Sequence, residues 1–131
     1  MQMIFASAGW DGASDTDVYR DELRLASQAE DLGFDAFWPV EHHFFDYSFC
    51  PDNTELLAFL AARTSTIGLG TAAVILPWND PLRVAERISM LDVLSGGRVR
   101  LAWAAASRAA STHRGSASRW MRLGAASTSR R

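Results

Sequence analysis

The chain has 131 residues, 48% of them hydrophobic and 21% charged, which is the length of one domain and the composition of a globular one. Disorder throughout and a fibrous repeat are excluded, and so is a membrane-spanning helix, because no apolar run approaches the ~18 residues that a span needs. All thirteen basic residues are arginine, unevenly placed: residues 1–103 carry a net −8, and residues 104–131, with six Arg and no acid, a net +6. Ala, Ser and Arg supply 20 of those last 28 residues. Residues 1–103 are therefore read as the folded domain and 104–131 as a separate basic Ala/Ser/Arg-rich tail, disordered or frameshift-derived. A single cysteine, Cys50, and a start at Met1–Ala8 without a basic or long apolar stretch point to a reducing, cytoplasmic setting.

Residues 3–8 are a short apolar run before Gly9, as in a buried strand. Ser14 or Asp15 caps a helix with Asp17 in its first turn. That helix is expected to run to Leu32, with Val18, Leu25, Ala29 and Leu32 on its inner face and Gly33 as the left-handed stop. Residues 34–40 read as a second strand and 41–50 as a polar, aromatic loop. Pro51 suits the first turn of a helix reaching Arg63. Residues 67–76 are nearly all apolar or small, the pattern of a strand buried on both faces. Asp80 and Pro81 start a third helix, with Val84, Ala85, Ile88 and Leu91 inward and Ser95-Gly96-Gly97 at its end. A fourth strand begins at residue 98. Strands and helices alternating with short connections predict an α/β fold, a parallel sheet of about four strands with three crossover helices.

Several segments then fall into one ordered series: Glu41-His42-His43-Phe44, Gly70-Thr71-Ala72-Ala73-Val74-Ile75-Leu76-Pro77, Asp80-Pro81-Leu82-Arg83, Leu91-Asp92 and Ser95-Gly96-Gly97-Arg98. This series resembles the N-terminal part of the bacterial luciferase-like flavin monooxygenases, from residue 3 to about 102. The resemblance implies part of a TIM barrel, whose chemistry sits at the C-terminal ends of the strands. It also implies reduced flavin mononucleotide (FMN) or, in one branch, a deazaflavin, with dioxygen and a small organic substrate. By position His42 matches the family's catalytic histidine and is assigned proton transfer, work suited to a group titrating near neutrality. Thr71, Ala72 and Ala73 match the place where the flavin ring packs on the backbone, with a cis peptide bond implied between Ala72 and Ala73. Glu41 is assigned to the same cofactor site, supporting the backbone or a neighbouring loop rather than sharing an atom with His42, and Trp38 and Trp78 to the cavity wall.

Three other readings stand beside this one. Glu41, His42 and His43 near Asp46 have the residue types of a metal site, although no further His or Cys has ligand spacing. The basic tail on a small non-catalytic module suits nucleic acid or an acidic partner, without any recognisable nucleic-acid module to support it. Cys50 has no basic neighbour and reads as an ordinary thiol. Where the family carries a Gly-Val-Gly-Arg-Gly segment for the flavin phosphate, this chain has Ala102-Trp103-Ala104-Ala105-Ala106-Ser107. Those residues can be encoded so that the neighbouring frame spells Gly-Val-Gly-Arg-Gly-Phe, and the unique codons of Trp103, Trp120 and Met121 fit that shift. The expectation is a frameshift near residue 102, leaving an impaired or inactive part-barrel whose open sheet edges favour self-association.

Overall fold

The structure is a computed structural model that describes residues 1–8, 12–43, 48 and 50–105; the tail beyond Ala105, and Asp46 in the proposed metal cluster, lie outside them. Four strands, β1 (Gln2–Phe5), β2 (Ala36–Pro39), β3 (Gly68–Gly70) and β5 (Val99–Arg100), form one sheet in the order β1-β2-β3-β5. All its pairings are parallel. Two shorter strands, β4 (Val74–Ile75) and β6 (Trp103–Ala104), pair in parallel beside it. Strand neighbours in space follow chain order, as in the wall of a parallel barrel; a doubly wound sheet would reverse at a switch point.

The connecting helices are α1 (Asp15–Ala29), α2 (Asn53–Ala61) and α3 (Pro81–Ser95). Each starts on a side-chain cap. Ser14 and Asp17 form a reciprocal capping box on α1, Asp52 accepts from the Thr54 and Glu55 amides of α2, and Asp80 accepts from Leu82 and Arg83 of α3. These caps satisfy amides that the first turn leaves without partners. Gly96, at φ 73°, closes α3 in the left-handed conformation that costs glycine least.

The core lies between helices and sheet. Phe5, Phe37 and Leu69 from the strands meet Ala26, Ala29, Leu57, Leu60 and Leu91 from the helices. Alternation along the strands sends Ile4, Trp38, Gly68, Gly70 and Arg100 to the opposite, inner face.

Some sequence expectations change. α1 ends at Ala29, and Leu25 and Leu32 are exposed. Its buried residues are Val18, Ala26 and Ala29. Pro51 precedes the Asp52 cap and lies outside α2. Ala85 is exposed, and the inner face of α3 centres on Val84 and Leu91. The stretch 67–76 is two strands, broken at Thr71–Ala73, and the fourth strand is broken in step at Leu101–Ala102.

Two charged side chains fasten the end of the sheet away from that break. The Glu30 carboxylate accepts the Ser65, Thr66 and Ile67 amides. The Arg98 guanidinium donates to the carbonyls of Ala61, Thr64, Ile67 and Ser95, binding the ends of α2 and α3 together.

Candidate functional site

The C-terminal ends of β2 and β3 carry the residues that the sequence singles out. At the break after β3 the Thr71 side chain replaces the missing ladder. Its hydroxyl donates to the Ala102 carbonyl at 2.6 Å and accepts the Ala102 amide at 2.8 Å. Thr71 is fully buried, so both bonds form away from water. The ladder resumes when the Val74 amide reaches the Ala102 carbonyl at 3.0 Å.

Ala72 and Ala73 are thereby set apart from regular pairing. Their peptide bond is cis, as the family resemblance implies, and both residues are half-exposed. The Ala72 amide donates to the Pro39 carbonyl at 3.1 Å. From below, the Asn53 amide group donates to the carbonyls of both Pro39 and Ala73, at 3.4 and 3.3 Å. Asn53 is fully buried and its Oδ1 has no partner among the described residues. Sequence reasoning missed Asn53. The available signal was an asparagine directly after Asp52: with the cap position already filled, its polar side chain is free for other work.

Glu41 follows β2 and is 4% exposed. Its Oε2 accepts the Ile75 amide at 3.0 Å, just past the alanine pair. Its Oε1 meets His43 Nε2 at 2.8 Å and Asn79 Nδ2 at 3.3 Å. Residues 41 and 43 share one side of an extended segment, which is why Glu41 meets His43. The His43 ring stacks on Trp78, centroids 4.7 Å apart and planes 17° apart. His42 is half-buried, and its amide donates to the Cys50 carbonyl at 2.9 Å. Burial, reinforced by the charges of Glu22, Asp52 and Glu41, pushes the Cys50 thiol up to about 12; it is a packing residue and no nucleophile. Among the described residues no group of three or more His, Cys, Asp or Glu is arranged to hold a metal.

On the inner face Trp38 lies across Gly70. A Cβ at Gly70 would stand 2.2 Å from the indole, so only glycine lets the ring lie there. Trp38 Nε1 is buried without a partner among the described residues. Ala72 and Ala73 carry only methyl side chains and are partly exposed, so the residues present leave a flat heteroaromatic group room to approach the backbone there.

Parallel strands in chain order with helices on one face define part of the wall of a TIM barrel, with the small-residue strand break and the Glu-His-His run at the C-terminal ends of its strands. The chain belongs to the luciferase-like monooxygenase family, whose model matches residues 2–123. That range crosses the composition boundary at residue 103. The chain is 36% identical over 87 residues to the alkanal monooxygenase alpha chain of Photorhabdus laumondii, covering 66% of this chain and 24% of that one.

Its fold matches the FMN-bound oxygenating constituent of 3,6-diketocamphane monooxygenase from Pseudomonas putida. The TM-score is 0.77 at 26% identity, over 86% of this chain and 32% of that one. It also matches the coenzyme F420-dependent tetrahydromethanopterin reductase of Methanopyrus kandleri, with a TM-score of 0.62 at 26% identity, over 82% and 27% of the two chains. The chain spans about a quarter of the length of the curated relatives it matches.

Proposed function

We propose that the mouth formed by Thr71, Ala72, Ala73, Glu41 and His42 is one wall of a reduced-flavin site, serving flavin-dependent monooxygenation when the rest of a barrel is in place. The observation that carries this reading is the half-exposed Ala72–Ala73 pair, fixed by Thr71 on one side and by Asn53 beneath. Reduced FMN, when bound, supplies the electrons that activate dioxygen; a deazaflavin occupying the same wall is the alternative cofactor.

The chain's own residues perform the remaining tasks. Ala72 and Ala73 support a flat ring, and their short side chains let it approach the backbone. Thr71 and Asn53 keep that support from shifting. Glu41 ties the loop after the alanine pair to the end of β2 and does not itself need to touch the ring. His42 takes or gives the proton that oxygen chemistry requires. Trp38 and Trp78 exclude water from the wall.

The isolated 131-residue polypeptide is expected to bind FMN weakly and to turn over nothing. Among the described residues the sheet has two open edges, β1 and β5, and the inner face carries an exposed Ile4. Such edges and faces favour pairing between copies. Titration of residues 1–131 with reduced FMN tests this; micromolar binding with turnover would overturn it. In a chimaera that supplies the remaining strands, His42→Ala is expected to lower turnover about 10²–10⁴-fold with folding retained.

A further inference from the structure

Away from the mouth, two hollows lie between α1 and α2, and Tyr19 and Leu23 line both. The first, of about 760 Å³, is lined also by Arg20, Arg24 and Arg63. The second, of about 260 Å³, is lined also by Leu56 and Phe59. None of Thr71, Ala72, Ala73, Glu41 or His42 lines either hollow.

The helix period builds this surface. Residues four apart share a face, so Tyr19 and Leu23 form one ridge of α1 and Arg20 and Arg24 the ridge beside it. The charges on the first hollow are unequally matched. Arg20 is held by Asp17 at 2.8 Å and Asp21 at 3.4 Å. The Arg24 guanidinium makes no hydrogen bond or ion pair among the described residues. The Arg63 guanidinium stands over the Phe59 ring, 4.7 Å from its centroid. It is not needed to close α2, because Arg98 already fills the Ala61 and Thr64 carbonyls there. Asp15 also lines this hollow, but it precedes Arg24 by nine residues, roughly 13 Å along a helix that rises 1.5 Å per residue. Salt screens charges that far apart. The second hollow has acids on its rim, Asp52 and Glu55. Asp52 is engaged by Arg87 and by the amides that it caps, and Glu55 is exposed. Acids at that end repel an anion, whose charged head belongs at Arg24 and Arg63.

We propose that this groove binds an aromatic carboxylate, its head on Arg24 and Arg63 and its flat body along Tyr19 and Leu23 toward Phe59. A guanidinium only donates, and its fork matches the two oxygens of a carboxylate. Exposed ion pairs alone hold little, so the body supplies the rest by taking Leu23 and the aromatic rings out of water. The inference goes beyond the flavin reading and does not rest on it, because the two sites share no residue.

Amide NMR titration of the 131-residue chain with 2-naphthoate at low salt tests the proposal. Saturable shifts at Tyr19, Leu23, Arg24 and Arg63 are expected, with Thr71, Ala72 and Ala73 unmoved. Arg24→Gln combined with Arg63→Gln is expected to weaken naphthoate binding about tenfold. Neither guanidinium makes a hydrogen bond to the fold, so denaturant unfolding of this variant should change little; if it does not fold, Arg24→Gln alone decides the matter. The uncharged 2-naphthylmethanol should bind the unaltered chain no better than naphthoate binds the double variant. Equal binding of acid and alcohol, naphthoate affinity unmoved by the arginine substitutions, shifts gathered elsewhere, or no saturation overturns the proposal. Failure of FMN to bind at the mouth would leave these shifts untouched, and failure here would leave FMN binding untouched.

Discussion

The two ends of the sheet use the same kinds of side chain for opposite purposes. At the end where β3 and β5 begin, Glu30 accepts three backbone amides and Arg98 donates to four backbone carbonyls. These charges are spent on the main chain, closing loops and helix ends. At the end where β2 and β3 finish, Glu41 accepts one backbone amide and keeps its other oxygen for His43 and Asn79. Thr71 and Asn53 likewise shape a break in the ladder instead of closing one. The floor fixes the fold, and the mouth aims side chains at a surface left open.

Substitutions at the two ends should therefore separate, and the largest stability effect belongs to the floor. Arg98→Met leaves four carbonyls without their donor and should lower unfolding free energy by about 3 kcal/mol. Denaturant unfolding measures it, and the His43 and Trp78 signals should stay unchanged in the folded fraction. Thr71→Val keeps the shape but removes both bonds to Ala102, at a cost of about 1–3 kcal/mol. Its distinguishing mark is faster amide exchange confined to Ala102 and Val74; uniform loss of protection would erase the distinction between the ends.

Gly70→Ala drives a Cβ into Trp38 and should cost a similar or slightly smaller amount, about 1–3 kcal/mol. A shifted Trp38 indole resonance should report the displaced ring. The smallest effect is expected from Glu30→Gln. The amides of Ile67, Thr66 and Ser65 hold the Glu30 carboxyl below its usual value. Its folded value is thus the depressed one. The stability it contributes is fully present above the unfolded carboxylate value of about 4.3 and is lost as pH falls through the folded value. The variant should therefore match the parent in deep acid and fall below it near neutrality, a difference that unfolding curves across pH would resolve.

The helix starts were legible because their signals are local. Ser14 with Asp17, Asp80 with Pro81, and Gly96 each act within one turn of chain. The parallel order of strands was legible from alternation with helices. What the sequence hid were effects of contact across the fold. Leu25 and Leu32 look inward by apolar count, but Leu32 lies beyond the end of α1 and Leu25 is exposed, while Ala26 and Ala29 are buried in the core with Leu23 packed against it. Residues 67–76 look like one strand because alanine and glycine are apolar enough to continue any strand. Only the Thr71–Ala102 exchange identifies the break. His42 and the Thr71–Ala73 stretch entered through family resemblance. Asn53, Asn79 and Arg87 belong to no motif and depend on partners 8 to 38 positions away.

On the proposed reading, a flavin ring rests on the Ala72–Ala73 pair. The direct measurement is an amide NMR titration of the 131-residue chain with FMN, carried to concentrations high enough for weak binding. Shifts gathered at Thr71, Ala72, Ala73 and His42, and abolished by Ala73→Leu, are the predicted result. Shifts absent altogether, or gathered instead in the cleft of about 270 Å³ between α2 and α3 around Ala58, Met90 and Leu94, would contradict it.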